Sequence, residues 1–418
     1  MIDLFKEAGY KIVDFENTAD IYVINSCTVT NQAASKSRKR ARRAKRRNSE
    51  SRVIMVGCYP QAFPDEVEEI EEIDNIIGAQ GKKDIVKVVE ETIKENNQNF
   101  LASITQYDDF KGYEELRVKN VSETTRANVK IEDGCNQFCS YCIIPYARGP
   151  VRSREKESIT KEVNSLVDKG INEIVLTGTH LGNYGLDDDN SHALSKLVED
   201  LIQLNGEFRI RLSSIEVTEI DDRLIDLISN KDKLCPHLHI PLQSGCNKVL
   251  EAMRRPYNQE DFRRLVKKLR KKIPDIAITT DVIVGFPGES QADFQVTYDF
   301  IKEIGFSRLH VFPYSVREGT PASKMGDRVN GNIIKERSKK MRELNRKLML
   351  NYQREFIDRV RTVIIEDKYD YDTGFLTGVT DNYLRVLVDA EEKFQEKMVD
   401  VKILKSCDHE SVMGKIIE

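Results

Sequence analysis

The stretch "VKIEDGCNQFCSYC", residues 129–142, begins as an alternating strand and ends in three cysteines, Cys135, Cys139 and Cys142. It opens a series of six strand-like segments. After "VKIEDGC" come "EIVLTGTH" (173–180), "RIRLSSIE" (209–216), "HLHIPLQSG" (237–245), "AITTDVIVGFPGE" (277–289) and "RLHVFPYS" (308–315). Helix-like stretches separate them, among them "ESITKEVNSLVDKG" (157–170) and "NQEDFRRLVKKLRKK" (258–272). Strands that alternate with helices predict a parallel α/β sheet, and six units predict an incomplete barrel. Active sites of such barrels sit at the C-terminal strand ends. Here those ends carry Cys135, "GTH" (178–180), "SSIE" (213–216), "QSG" (243–245), "GFPGE" (285–289) and "FPYS" (312–315).

Upstream, "ADIYVINSC" (19–27) and "SRVIMVGC" (51–58) are apolar runs that end on Cys27 and Cys58, and "IDNIIGAQ" (73–80) is a third. They read as buried parallel strands. "MIDLFKEAGYKIVDF" reads as an amphipathic helix and then a strand, not as a signal peptide. Residues 80–128 read as a helix followed by a linker. Downstream, a charged helix (332–356) precedes five short β-like runs with Gly and Asn-Asp turns, which predict a small β-barrel. The expected domains are therefore 1–98, 121–350 and 354–418.

Composition narrows the function classes. The chain has 418 residues, room for about three domains. Its net charge of −4 does not mark the whole chain as a nucleic-acid binder, so local patches must carry that argument. No apolar run reaches the roughly 18 residues of a membrane span. Eight scattered cysteines make a poor disulfide framework for this length and point to a reducing cytoplasm.

The spacing C-x3-C-x2-C supplies three thiolates and no fourth ligand nearby; the closest histidine after it is His180. Structural zinc usually takes four ligands. A zinc-bearing RNA-binding protein is the non-enzymatic reading. A [4Fe–4S] cluster held by three cysteines leaves one iron open, and an open position is where a metal meets a substrate.

This motif at the end of the first strand of a partial barrel resembles the radical S-adenosylmethionine superfamily. The resemblance implies that the open iron chelates S-adenosylmethionine and that a reduced cluster cleaves it to a 5′-deoxyadenosyl radical. Tyr141, before the third cysteine, then packs near the adenine. More narrowly, "GCNQFCSYCIIPYARGPVRSR" (134–154), "LTGTHLGNYG", "LHIPLQSG", "DVIVGFPGE", "FPYSVREGTPA" (312–322), "INSCTVTNQAASKSR" (24–38) and "VGCYPQ" (56–61) together resemble the methylthiotransferases. "IIPYARG", "GTHLGNYG" and "HVFPYS" are most similar to the branch acting on N6-threonylcarbamoyladenosine of tRNA. Other branches act on isopentenyladenosine of tRNA or on an aspartate of a ribosomal protein.

The resemblance implies two [4Fe–4S] clusters. One is held by Cys135, Cys139 and Cys142; an auxiliary one presents sulfur and takes Cys27 and Cys58. It also implies S-adenosylmethionine contacts at Gly178, Glu216, Gln243 and Gly285. The implied partners are the tRNA anticodon stem-loop and an electron donor such as flavodoxin or ferredoxin; a monomer is expected. Relatives carry a further auxiliary cysteine on a first strand that has no counterpart before Cys27. The expectation is an N-terminal domain lacking that strand, a weakly held auxiliary cluster, little methylthio transfer and a true start upstream of Met1. Cys235, Cys246 and Cys407 read as structural.

For RNA, the run 35–47 holds nine Lys and Arg and no acid, so it cannot neutralise itself by i,i+4 pairs. The C-terminal barrel resembles the TRAM domain, with Arg359, Arg361 and Arg385 as candidate phosphate contacts.

Overall fold

The computed structural model describes residues 1–94, 102–116, 125–188, 192–230 and 233–417. Two compact units emerge. The first comprises residues 1–120, 133–153 and 315–324; the second comprises 121–132, 154–314 and 325–418.

In the first unit, the β-branched runs pair as a parallel sheet in the order β1 (Ile21–Ser26), β2 (Arg52–Gly57), β3 (Asn75–Ile77), β4 (Ala102–Ser103). Parallel strands need crossovers, and the helix Asn31–Arg47 supplies the one between β1 and β2. Thr30 caps it by accepting from the Ala33 amide at 3.2 Å. Ala34, Ser37, Ala41 and Ala44 form its buried face, and the alanines pack with Tyr22, Val53 and Met55. The predicted strand in "KIVDF" does not form: residues 11–16 have no regular structure, and Ile12 and Val13 are exposed, so extending the chain there would bury nothing. The expected helix after residue 80 is Ile85–Lys94, and β4 within the expected linker adds a fourth strand to the sheet. Linker residues 95–101 and 117–124 lie outside the described residues.

In the second unit, six parallel strands follow chain order. β5 (Arg126–Lys130), β6 (Glu173–Thr177) and β7 (Arg209–Leu212) form one ladder, and β8 (His237–His239), β9 (Ala277–Val284) and β10 (Arg308–Pro313) another. Parallel bridges from Ile210 to Leu234 and from Ser214 to His239 join the two. Alternate residues, such as Leu238, Ile278, Val282 and Leu309, enter the core beneath the helices with Phe262, Phe300 and Leu344. The polar residues between them fall on the other face.

The helix Gly331–Arg354 packs on this core through Met341, Leu344 and Leu348. β11 (Val360–Tyr369), β12 (Leu376–Thr380), β13 (Arg385–Val388), β14 (Met398–Ser406) and β15 (Ser411–Ile416) close into a barrel in the order β11-β12-β13-β15-β14. Buried charges tie it to the six-stranded sheet. Arg209 donates to the Val379 carbonyl at 2.9 Å, and Arg211 to those of Asp381 and Thr380 at 2.9 and 3.1 Å. Both arginines grip fully buried Glu173, at 2.6 and 2.8 Å. Burial alone would raise that carboxyl, but Arg211 and Arg209 hold it down at about 2. Among the described residues, no helix is long and apolar enough to cross a membrane.

Candidate functional site

The three-cysteine loop belongs to the first unit. It begins at Gly134, whose φ of +96° suits glycine; a Cβ there would lie 1.8 Å from the Pro150 carbonyl oxygen. The Cys135 amide donates to the Gly149 carbonyl at 3.1 Å, and the Val151 amide to the Asn136 side chain at 3.1 Å. These bonds close the base of the loop. The Gln137 amide points at the Cys135 sulfur, 3.4 Å away. Phe138 is left-handed, with φ of +44°, a conformation a bulky residue holds only when its surroundings enforce it. Its ring is gripped by Tyr107 and Tyr146, at 5.9 and 5.5 Å between centroids. The next turn closes from the Cys142 amide to the Cys139 carbonyl at 3.0 Å. Cys139 is buried, while Cys135, Tyr141 and Cys142 are half-buried.

Cys27 and Cys58 are neighbours by register. Ser26 pairs with Gly57 at the last rung of β1 and β2, and each cysteine follows directly. Gly57 has φ of +107°, and a Cβ on it would lie 2.8 Å from the Ser26 carbonyl oxygen. Only glycine permits that close approach. Cys58 is buried and Cys27 exposed.

Two arginines attend them. Arg148 donates from Nε to the Cys58 sulfur at 3.0 Å and also pairs with Asp133 at 3.4 Å. Burial opposes its charge, but Cys58 and Asp133 outweigh burial and hold the guanidinium firmly protonated. Arg317 bonds to the side chains of Thr28 and Asn31, just beyond Cys27, and lies 4.7 Å over the Phe63 ring. Sequence reading passed over both arginines, although "YARG" and "SVREG" contain them, because only the fold puts residues 148 and 317 beside the ends of β1 and β2. Thiolates bind iron, and a cation at their side offsets the negative charge they bring. The first unit thus carries donor sets that fit iron–sulfur clusters.

The second unit holds the other expected contacts. Gly178 follows β6, and a Cβ on it would lie 2.7 Å from Glu132 Oε2, so its smallness also serves packing. The neighbouring His180 is committed to protein partners: its Nε2 lies 2.6 Å from Glu219 and its Nδ1 3.0 Å from Asn183. Glu216 pairs with buried Arg255, and its own amide donates to Glu219 at 3.0 Å. Gln243 is left-handed, φ +59°, and bridges to Val282, which leaves its side chain half-buried. The Gly285 amide donates to Glu289 at 2.8 Å, and a Cβ there would meet Ile334 at 2.4 Å.

The basic helix finds acids outside itself. Arg38 pairs with Glu66, Arg42 with Glu72, Lys45 with Asp74, and Arg43 and Arg47 with Glu16. Among the described residues no ion pair forms at exposed Lys36, Lys39 or Arg46, which share one stripe with Arg40 and Arg43. In the C-terminal barrel, Arg361 is committed to Asp381 and Asp275, Arg359 to Asp275, and Arg385 to Asp370. These three are therefore bracing residues before they are phosphate contacts.

Comparison with known proteins adds to this geometry. Residues 129–301 match the family model described as the Radical SAM superfamily, and residues 1–78 that described as Uncharacterized protein family UPF0004. The chain is 44% identical to the threonylcarbamoyladenosine tRNA methylthiotransferase MtaB of Bacillus subtilis (strain 168), across 96% of this chain and 89% of that one. It is 33% identical to the tRNA-2-methylthio-N(6)-dimethylallyladenosine synthase of Carboxydothermus hydrogenoformans, across 96% and 91%. Among solved structures, the radical S-adenosylmethionine methyltransferase TsrM from Kitasatospora setae, with cobalamin and a [4Fe-4S] cluster bound, aligns with a TM-score of 0.57 at 16% identity. That alignment covers 73% of this chain and 66% of the other, and shows a shared fold.

Proposed function

The chain belongs to the radical S-adenosylmethionine methylthiotransferase family, and on that premise we propose that it adds a methylthio group to C2 of N6-threonylcarbamoyladenosine at position 37 of tRNA. The observation that carries this reading is the 44% identity to a threonylcarbamoyladenosine enzyme over nearly the whole chain, against 33% for a dimethylallyladenosine one.

Membership implies a [4Fe–4S] cluster and S-adenosylmethionine. We assign the cluster to Cys135, Cys139 and Cys142; together with S-adenosylmethionine it supplies a radical able to remove hydrogen from an unactivated carbon. The chain's own work is positional. The closed base of the loop sets the three thiols, and Tyr141 offers a half-buried ring beside them. Gly178, Glu216, Gln243 and Gly285 remain the proposed S-adenosylmethionine contacts, with Arg255 orienting Glu216. Cys27 and Cys58 are the proposed anchors of a second cluster, and Arg148 holds Cys58 in place.

In domain terms, residues 1–98 present the second cluster, 121–350 carry the radical chemistry and 354–418 serve RNA binding. The stripe from Lys36 to Arg46 supports contact with the phosphates of the anticodon stem-loop. Flavodoxin or ferredoxin is the proposed electron donor, and a cytoplasmic monomer the proposed form.

Nucleoside mass spectrometry of tRNA from a deletion strain tests the substrate. Loss of the methylthio form of threonylcarbamoyladenosine, with the isopentenyladenosine form intact, is expected. Retention of the former overturns the assignment.

A further inference from the structure

On the face of the second unit's sheet turned away from its helices, three side chains from three adjacent strands converge. His239 lies on β8, Asp281 on β9 and His310 on β10, and their donor atoms all lie within 4.8 Å of one another. Register explains the meeting. Asp281 pairs directly with His310 across β9 and β10, and His239 pairs with Thr279, two residues before Asp281 on the same face. Nothing in the proposed methylthiotransferase reading uses them.

The distances are informative. Asp281 Oδ1 lies 3.3 Å from His239 Nε2 and 3.5 Å from His310 Nδ1. Hydrogen bonds to a carboxylate normally measure about 2.7–3.2 Å, so a single oxygen faces two ring nitrogens just beyond bonding reach. A tetrahedron with metal–ligand bonds of about 2.0–2.1 Å has donor–donor edges of about 3.3–3.4 Å. Thr279 Oγ1 meets the remaining nitrogen of the His239 ring at 2.9 Å, the outer bond that fixes the tautomer of a metal-binding histidine. His239 and Asp281 are half-buried and His310 is exposed, which leaves an entry path.

We propose that His239, Asp281 and His310 form a mononuclear site for a divalent transition-metal ion of the zinc class, with no cysteine among its ligands. Two imidazoles and one carboxylate are a donor set such ions accept, and three protein ligands leave a position for water or for an oxygen of a bound ligand. Arg308, two residues before His310 on the same strand face, pairs in register with Thr279.

The test uses anaerobically reconstituted full-length protein, washed with chelator and titrated with zinc ion alone by calorimetry, followed by zinc-edge X-ray absorption. One zinc per chain is expected, with nitrogen and oxygen neighbours at about 2.0–2.2 Å and no sulfur. His239→Ala, Asp281→Ala and His310→Ala should each weaken binding on the order of 100-fold or more, and Thr279→Val about tenfold, with iron content unchanged. If the half-buried variants fold poorly, His310→Ala at the exposed position decides. Absence of zinc binding, sulfur ligation, or undiminished binding in His310→Ala overturns the proposal.

Discussion

In the first unit, two adjacent strands lead directly into Cys27 and Cys58, one exposed and one buried. In the second, two adjacent strands begin on Glu173 and Arg209, with Arg211 two residues further on, all of them buried and joined to one another. The strand ends offer reactive groups with coordination to spare. The strand beginnings spend every charge on neighbours, and so dock one barrel on another sheet. A sheet edge can therefore be chemical or structural, and the difference lies in how much of the bonding capacity of its polar groups protein partners already take up: one guanidinium at Cys58, two at Glu173.

The sharpest way to break this contrast is Cys139→Ala. It should abolish iron at the three-cysteine loop and reduce 5′-deoxyadenosine formation to background. Iron counting and chromatography check it, and near-normal cleavage would remove the loop from the chemistry. Next comes Cys58→Ser, which should leave 5′-deoxyadenosine formation intact while methylthiolated tRNA falls to background. Equal loss of both products would show that the two cysteine groups do not divide the work.

A smaller effect is expected at the structural edge. Glu173→Gln leaves Arg209 and Arg211 with a neutral partner and should lower stability by about 3–5 kcal/mol in denaturant titration. Its pH behaviour follows from the carboxyl held at about 2 against its ordinary 4.5. The stabilisation is fully present above about pH 4.5 and is lost as pH falls towards 2, a change on the order of 3 kcal/mol. Glu173→Gln should flatten that acid limb; an unchanged limb would mean that other carboxylates govern it. The smallest change is expected from replacing Lys36, Lys39 and Arg46 together by glutamine. The slope of log affinity for tRNA against log salt should become shallower by roughly two to three. No change in slope would mean that the stripe is only a solvated helix face.

Much of this protein is local enough to be legible in one dimension. The C-x3-C-x2-C run places three thiols within eight residues, so spacing alone limits the ligands it can hold. The six parallel strands and the five of the closing barrel follow from short strand-like runs with apolar residues between turn signals. Even the neighbourhood of Cys27 and Cys58 is foreshadowed, because two apolar runs each end on a cysteine. What tertiary structure decided is which polar groups meet. Arg148 reaches Cys58 across 90 positions of sequence, and Arg211 reaches the Thr380 carbonyl across 169. The acids that partly neutralise the basic helix lie outside it, at Glu16, Glu66, Glu72 and Asp74. His239, Asp281 and His310 share a face only because three strands pair in one register. Hydrophobic periodicity records which side of an element is buried. It carries no information about which charge on another element will stand opposite, since that depends on register and packing summed over the whole chain.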